Sequence, residues 1–481
     1  MITEKNFNIS LLCDFYEFTM GNGYLRADMK DYTACFDLYF RKVPDNGGFA
    51  IAAGLPTLIQ YIRQLHFSDD DIEFLRSKNM FCEEFLQYLK NFRFECDIYA
   101  VPEGTPVFPE EPLVTVKGPA IQAQLLETML LLTVNHQSLI ATKANRIVRA
   151  AEGRPVYEFG TRRAQGNNAA VLGARAAYIG GCAGTACSVC EQLYNIPAVG
   201  TMAHSWIQMF DTEYEAFEAY AKYYPDNCIL LIDTYNVLKS GLPNAIKTYE
   251  NILKPLGKRL KGIRIDSGDV TYLSRKARKI LDEAGLTDCT IFLSNSLDEY
   301  LIRDILLQGA QADFFGVGER LITSKSEPVF GGVYKLVAAG RGKLEPKIKI
   351  SETYEKITTP GFKKVYRLFS NETRHMVADL IALYDEEFDF TKPITLFDPI
   401  NTWKKKTFTD YTAKELLVPV FRGGELVYEC PDIETTKKYC AEQVSSIWEE
   451  VLRFENPQTY YVDLSQKLWN TKQSMLHTHA L

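Results

Sequence analysis

From about Val156 onward the chain repeats one phrase: a short apolar run, a polar or glycine turn, then a helical pattern. The runs are Val156–Phe159, Ala198–Gly200, Ile229–Ile232, Gly262–Ile265, Thr290–Leu293, Asp313–Phe315 and Val333–Val337. Their intervals are roughly 20–40 residues, enough for a strand and a returning helix. Right-handed crossovers would set every strand's C-terminal end on one face. Seven runs with no division into halves predict an α/β fold, an irregular TIM-like β/α barrel of seven strands. A chain of 481 residues is too long for one ordinary domain. The barrel is expected over 151–340. An N-terminal α+β domain is expected over 1–150, packed with a C-terminal mixed segment over 341–481.

The flanks lack that rhythm. Asn8–Met20 has a helical pattern with Leu12, Phe15, Tyr16 and Thr19 on one side. Thr33–Arg41 alternates as a strand and ends in two cations, Arg41 and Lys42, either solvated or placed for phosphate. Asp69, Asp70 and Asp71 suit the positive end of a helix and read as a cap. Gln122–Ala151 is a long, apolar helical stretch. Beyond Arg341, four segments read as mixed strands, Glu434–Phe454 as a helix and Val462–Leu481 as irregular.

Composition narrows the function. A net charge of −7 gives nucleic acid no electrostatic support, so anionic ligands must be held by local arginines and backbone amides. No apolar run approaches the ~20 residues that span a bilayer. Met1–Ser10 lacks a signal-peptide core. The 11 scattered cysteines show no zinc-ligand spacing and fit reduced thiols in a cytoplasm.

The turns after the runs carry the chemistry. In Gly262–Ile265, Arg264 and the following Asp266 are both even positions, so an extended strand points them to one side. This pair is either an ion-pair plug in a barrel or the centre of a site. The other turns read Gly160-Thr161-Arg162-Arg163, Met202-Ala203-His204-Ser205, Asp233-Thr234-Tyr235-Asn236, Ser294-Asn295-Ser296 and Gly316-Val317-Gly318. His204 is a hydrogen-bonded core histidine or, placed after a strand, a nucleophile or general base. The Ser294-Asn295 and Gly316–Gly318 turns form a plausible phosphate cradle. Asp233, Asp266 and Asp269 suit Mg²⁺ or ribose hydroxyls. Phe159 and Tyr16 suit the faces of a planar ring, though Tyr16 is equally a core tyrosine.

Taken together, Tyr157–Arg163, Met202–Ser205, Asp233–Tyr235, Arg264–Asp269, Gly316–Gly318, Val101–Pro106 and Asn135–Ser138 resemble the nicotinate phosphoribosyltransferase family over roughly residues 5–480. The resemblance implies formation of nicotinate mononucleotide and diphosphate from nicotinate and phosphoribosyl diphosphate, coupled to ATP, in NAD salvage. It implies that His204 is phosphorylated by ATP and that Phe159 and Tyr16 stack on the pyridine. The tyrosine would come from the partner in a homodimer with shared active sites. It implies Arg264 near the pyridine acid group, Arg162 and Asp266 near ribose and phosphates, and Gly316, Gly318 and Asn295 around the 5′-phosphate. Arg41 would reach diphosphate across the dimer interface, and Mg²⁺ is expected with ligands unknown. Nicotinamide-using relatives carry an aspartate in the loop before the histidine strand. Aligned there is Ala183, and the missing carboxylate favours the acid substrate over the amide. Asn236 replaces an acid found in many members, which puts a metal role for that loop in doubt.

Three other readings compete. One is a nicotinamide- or quinolinate-type transferase on the same barrel. Another is a non-catalytic scaffold, which would not need His204. The last is a barrel lyase acting on a sugar phosphate. The lyase would want a Schiff-base lysine or a metal triad at strand ends, and the six turns hold no lysine.

Overall fold

The computed structural model describes residues 8–479; most of the expectation for Met1–Ser10 therefore lies outside the described residues. The chain forms two compact units. One contains residues up to Leu139 and from Val329 onward, and the other is Ile140–Pro328.

The second unit holds the repeating phrase. Its sheet has six parallel strands in the order Gly184–Thr185, Val156–Glu158, Phe314–Val317, Thr290–Ser294, Gly262–Ile265, Ile229–Leu231. Helices such as Val270–Glu283 and Glu299–Leu307 return the chain between strands. Each begins at an aspartate whose carboxylate accepts a backbone N–H, Asp269 from Tyr272 and Asp298 from Leu301. The strands are apolar because helices cover them: Ile263, Ile265, Ile291, Leu293, Phe315 and Val317 are fully buried.

Three features of the expected barrel are corrected. No ladder joins the two outer strands among the described residues, so the sheet is open and six-stranded. The expected seventh strand, Val333–Arg341, belongs to the first unit, where it runs antiparallel to Tyr32–Tyr39. The run at Ala198–Gly200 forms only a single bridge, to Thr185. The short strand Gly184–Thr185 takes the sheet position instead.

The first unit is built on a seven-stranded antiparallel sheet in which Tyr32–Tyr39 lies between Val333–Arg341 and Val114–Pro119. Both faces of that strand are covered from Ala34 to Tyr39, so the alternation in its sequence does not mark a wet face. Asp37, on the inner register, is paired with Lys363 at 2.7 Å and accepts from Thr115 Oγ1 at 2.7 Å. A helical layer, Phe15–Arg26 with Asp69–Ser77 and Glu83–Lys90, packs Phe18, Leu25, Leu75 and Phe85 into one apolar cluster. Ser68 and Asp71 form the capping box that the acidic run announces. The tail is ordered rather than irregular: Val462–Leu464 adds a strand beside Met376–Leu383, and Gln466–His479 is helical. Among the described residues no helix is long and apolar enough to cross a membrane.

Candidate active site

At the C-terminal ends of the six parallel strands, five turns converge on one polar cluster. Its centre is Arg264, mostly buried, in strand Gly262–Ile265. Each guanidinium nitrogen makes one bond: Nε donates to Ser294 Oγ at 2.9 Å, Nη1 to Thr201 Oγ1 at 3.3 Å and Nη2 to Asp266 Oδ1 at 3.1 Å. A guanidinium has five donors. One donor on each terminal nitrogen is therefore left over for a ligand. The guanidinium carbon lies 5.5 Å from the centroid of the Phe159 ring and 5.8 Å from that of Phe292. These two rings tilt against one another at 5.5 Å.

Asp266 couples the arginine to the histidine. Its Oδ1 accepts from Ser294 Oγ at 2.5 Å as well as from Arg264, while Oδ2 stands 3.8 Å from His204 Nε2. The Ser294 hydroxyl proton is thereby committed to Asp266. His204 opens the helix His204–Gln208, and its ring is 40% exposed. Its Nδ1 lies 3.1 Å from Thr234 Oγ1. The ring is thus tethered at Nδ1, faces a carboxylate at Nε2 and is partly exposed rather than enclosed in a core.

Asp233 is buried and holds the next turn in place. Its Oδ2 accepts from Asp266 N–H at 3.1 Å and from Ser267 Oγ at 2.5 Å, while its Oδ1 is buried with no hydrogen-bond partner. An orphaned buried carboxylate oxygen fits a hard cation that takes its other ligands from phosphate and water. Asp269 is spent on its helix cap, and Asn236 likewise accepts from Lys239 N–H at 2.8 Å. Among the described residues no three His, Cys, Asp or Glu side chains gather as a ready-made metal cage.

The phosphate-cradle turns show two distinct features. Asn295 and Ser296 follow their strand at φ of +114° and +29°, a conformation that side-chain-bearing residues rarely adopt. Such strain concentrates at functional turns. The glycines answer to packing: a Cβ on Gly316 would meet the Phe159 ring at 3.0 Å, and one on Gly318 would meet Phe159 O at 3.1 Å. Arg162 sits exposed on the single turn Thr161–Arg163, next after Phe159 and Gly160.

The cluster therefore assembles Phe159, Arg264, Asp266, Ser294, His204 and Asp233. Arg162, Asn295, Gly316 and Gly318 stand on the neighbouring turns. Tyr16 and Arg41 belong to the first unit: Tyr16 is on helix Phe15–Arg26, and Arg41 follows strand Tyr32–Tyr39 with its guanidinium carbon over the Tyr39 ring, 5.7 Å from the centroid. Three polar side chains were not anticipated. Thr201 and Thr234 sit in loops where nothing marks one threonine above another. Glu158 had a signal: a carboxylate on the inward register of an apolar strand. Ala183 enters strand Gly184–Thr185 from its N-terminal end, donating to Val156 O at 2.7 Å. The uncharged residue at the C-terminal end, level with the other turns, is Ala186, which donates to Glu158 O at 2.8 Å.

Three family models match consecutive parts of the chain: the nicotinate phosphoribosyltransferase N-terminal domain over residues 11–135, the nicotinate phosphoribosyltransferase family over 155–337 and the corresponding C-terminal domain over 362–472. The nicotinate phosphoribosyltransferase of Bacillus subtilis is 43% identical over 98% of this chain and 96% of its own length. That of Homo sapiens is 30% identical over 95% of each. The crystal structure of human nicotinic acid phosphoribosyltransferase superposes with a TM-score of 0.86 over 96% of this chain and 99% of that one, at 29% identity.

Proposed function

We infer the chemistry from one premise: the chain belongs to the nicotinate phosphoribosyltransferase family. It joins nicotinate to phosphoribosyl diphosphate, forming nicotinate mononucleotide and diphosphate, a step of NAD salvage. The observation that carries this reading is the pair of unused Arg264 donors beside the Phe159 ring. A pyridine lying on Phe159 can offer its carboxylate to those donors. The neutral Ala186 at the adjoining strand end adds no charge to repel it.

In the proposed reaction the pyridine nitrogen forms a bond to C1 of the ribose while the bond from C1 to the diphosphate oxygen breaks. Arg264 orients the acid group. Asp266 neutralises that arginine from behind and faces the reaction centre with its second oxygen. Arg162 meets the ribose and phosphates, and the strained Asn295 turn with Gly316 and Gly318 receives the 5′-phosphate. Asp233 and Asp266 would hold Mg²⁺, and the ion would supply charge neutralisation for the departing diphosphate.

ATP is the proposed co-substrate. His204 takes its γ-phosphoryl group: the bond between the terminal phosphorus and the bridging oxygen breaks, one from that phosphorus to a ring nitrogen forms, and ADP leaves. Hydrolysis of the phosphohistidine after transfer couples the two reactions. Tyr16 and Arg41 are proposed to enter the site from the partner subunit of a homodimer, closing the ring from its other face and pairing with diphosphate. Among the described residues no disulfide joins any of the eleven cysteines. That state suits a reducing compartment, and we place the enzyme in the cytoplasm.

Incubation with ATP labelled in the γ-phosphate tests the assignment of His204. The protein should acquire an acid-labile, base-stable label that is absent from His204→Ala. That variant should lose ATP hydrolysis and its coupling while keeping slow, uncoupled transfer, because the other contacts stand on other strands. Label persisting in His204→Ala would refute the assignment.

A further inference from the structure

Glu158 has no part in the chemistry just assigned. It ends strand Val156–Glu158, is wholly buried and has no ion pair among the described residues. Burial raises its pKa. An isolated carboxylate of this kind is costly to keep unless its hydrogen bonds do something.

Its two oxygens reach in different directions. Oε1 accepts from the N–H of Gly160, two residues on, so the side chain folds back along Phe159. Oε2 accepts from Thr185 Oγ1 at 2.6 Å, on the neighbouring strand. The Thr185 hydroxyl in turn accepts from Cys187 N–H at 3.0 Å. Backbone bonds flank the same joint: Ala186 N–H to Glu158 O at 2.8 Å, and Phe159 N–H to Val317 O at 2.8 Å. On its other side the turn has no slack, since a Cβ on Gly160 would meet Ile322 Cγ2 at 2.6 Å and Gly318 O at 2.7 Å. Phe159 is therefore the one residue between two points that Glu158 holds, its own backbone and Gly160.

We propose that Glu158 is the positioning residue of the pyridine subsite, clamping the Phe159–Gly160 turn to Thr185 so that the Phe159 ring meets the substrate in one fixed pose. The proposal rests on the reading of Phe159 as the surface on which nicotinate stacks. Small displacements of a positioning surface are expensive, of the order of hundredfold for about 1 Å.

Initial rates are measured against nicotinate and, separately, against phosphoribosyl diphosphate, with thermal unfolding of the same preparations. Glu158→Ala leaves Gly160 N–H and Thr185 without an acceptor and should raise the nicotinate KM roughly tenfold or more. Its effect on the phosphoribosyl diphosphate KM should be smaller. Thr185→Val removes one arm of the clamp and should shift the same constant in the same direction, less far. Glu158→Gln keeps an oxygen for Gly160 and places an amide against Thr185, and it should restore a nicotinate KM close to wild type. A folded Glu158→Ala with unchanged nicotinate KM would overturn the proposal. So would a Glu158→Gln as impaired as Glu158→Ala, because charge rather than the joint would then matter. If Glu158→Ala does not fold, an unchanged nicotinate KM in Thr185→Val overturns it. A wild-type enzyme that makes no product from nicotinate would fail the functional reading instead, and the same assay shows this before any variant is made.

Discussion

Arg264 spends three of its five donors on protein and keeps two for a ligand, and this division sets what a substitution there should do. Lysine preserves the charge but offers no planar fork. A charge-assisted contact of this type contributes about 1.5–3 kcal/mol. Arg264→Lys should therefore raise the nicotinate KM by roughly tenfold or more and leave ATP hydrolysis without nicotinate largely intact. Steady-state kinetics of both activities check this, and equal loss of both would make Arg264 a structural residue. The pairing of Arg264 with Asp266 was legible because strand geometry alone puts alternate residues on one side. The contacts from Thr201 and Thr234 were not, because each depends on where a loop passes. The glycines at 316 and 318 were legible as special positions, but close packing against Phe159 is a sufficient reason for them, and sequence does not separate packing from phosphate binding.

Elements in the first unit carry a pH-dependent joint. Helix Phe15–Arg26, which bears Tyr16, is pinned to the start of helix Glu127–Ala150 by Glu17, whose Oε1 accepts from Thr128 N–H at 3.2 Å and Oγ1 at 2.5 Å. Glu17 is fully buried, and burial above all lifts its pKa from an ordinary 4.5 to about 7. Below the lower value both folded and unfolded chains hold the proton. Between the two values only the folded chain does, so this contribution to stability is lost as pH rises towards the upper one. Glu17→Gln stays neutral and can accept both Thr128 bonds. Its unfolding temperature relative to wild type should therefore climb from about pH 5 to about pH 8, and a flat difference would show that Glu17 is not the titrating joint. The same scale shows where pattern reading stops. Val333–Arg341 has the period and length of a sheet strand, but its partner is Tyr32–Tyr39, nearly 300 residues earlier, which no local pattern can indicate. Strand Gly184–Thr185 is two residues long, too short to register as a run.

For the whole molecule, the order of strands and turns in Ile140–Pro328 was largely readable, because parallel strands impose long apolar runs at regular intervals. Closure was not readable, since it depends on an edge ladder and leaves no mark on the runs themselves. The C-terminal helix Gln466–His479 was missed because its exposed face is polar and its apolar spacing broken. The quaternary proposal is open to a mixing experiment. Chains carrying Tyr16→Ala and chains carrying Arg264→Ala should each be weakly active. Mixed under subunit exchange, they should regain activity, because one of the two sites in a mixed dimer is intact. Proven exchange without recovery would exclude shared sites. The central claim, that this site was built for a pyridine carrying one carboxylate, is tested most directly by diphosphate release from phosphoribosyl diphosphate with nicotinate, nicotinamide or quinolinate, with and without ATP. Nicotinate should be strongly preferred and ATP should stimulate its use; equal or better turnover of nicotinamide or quinolinate would contradict the account.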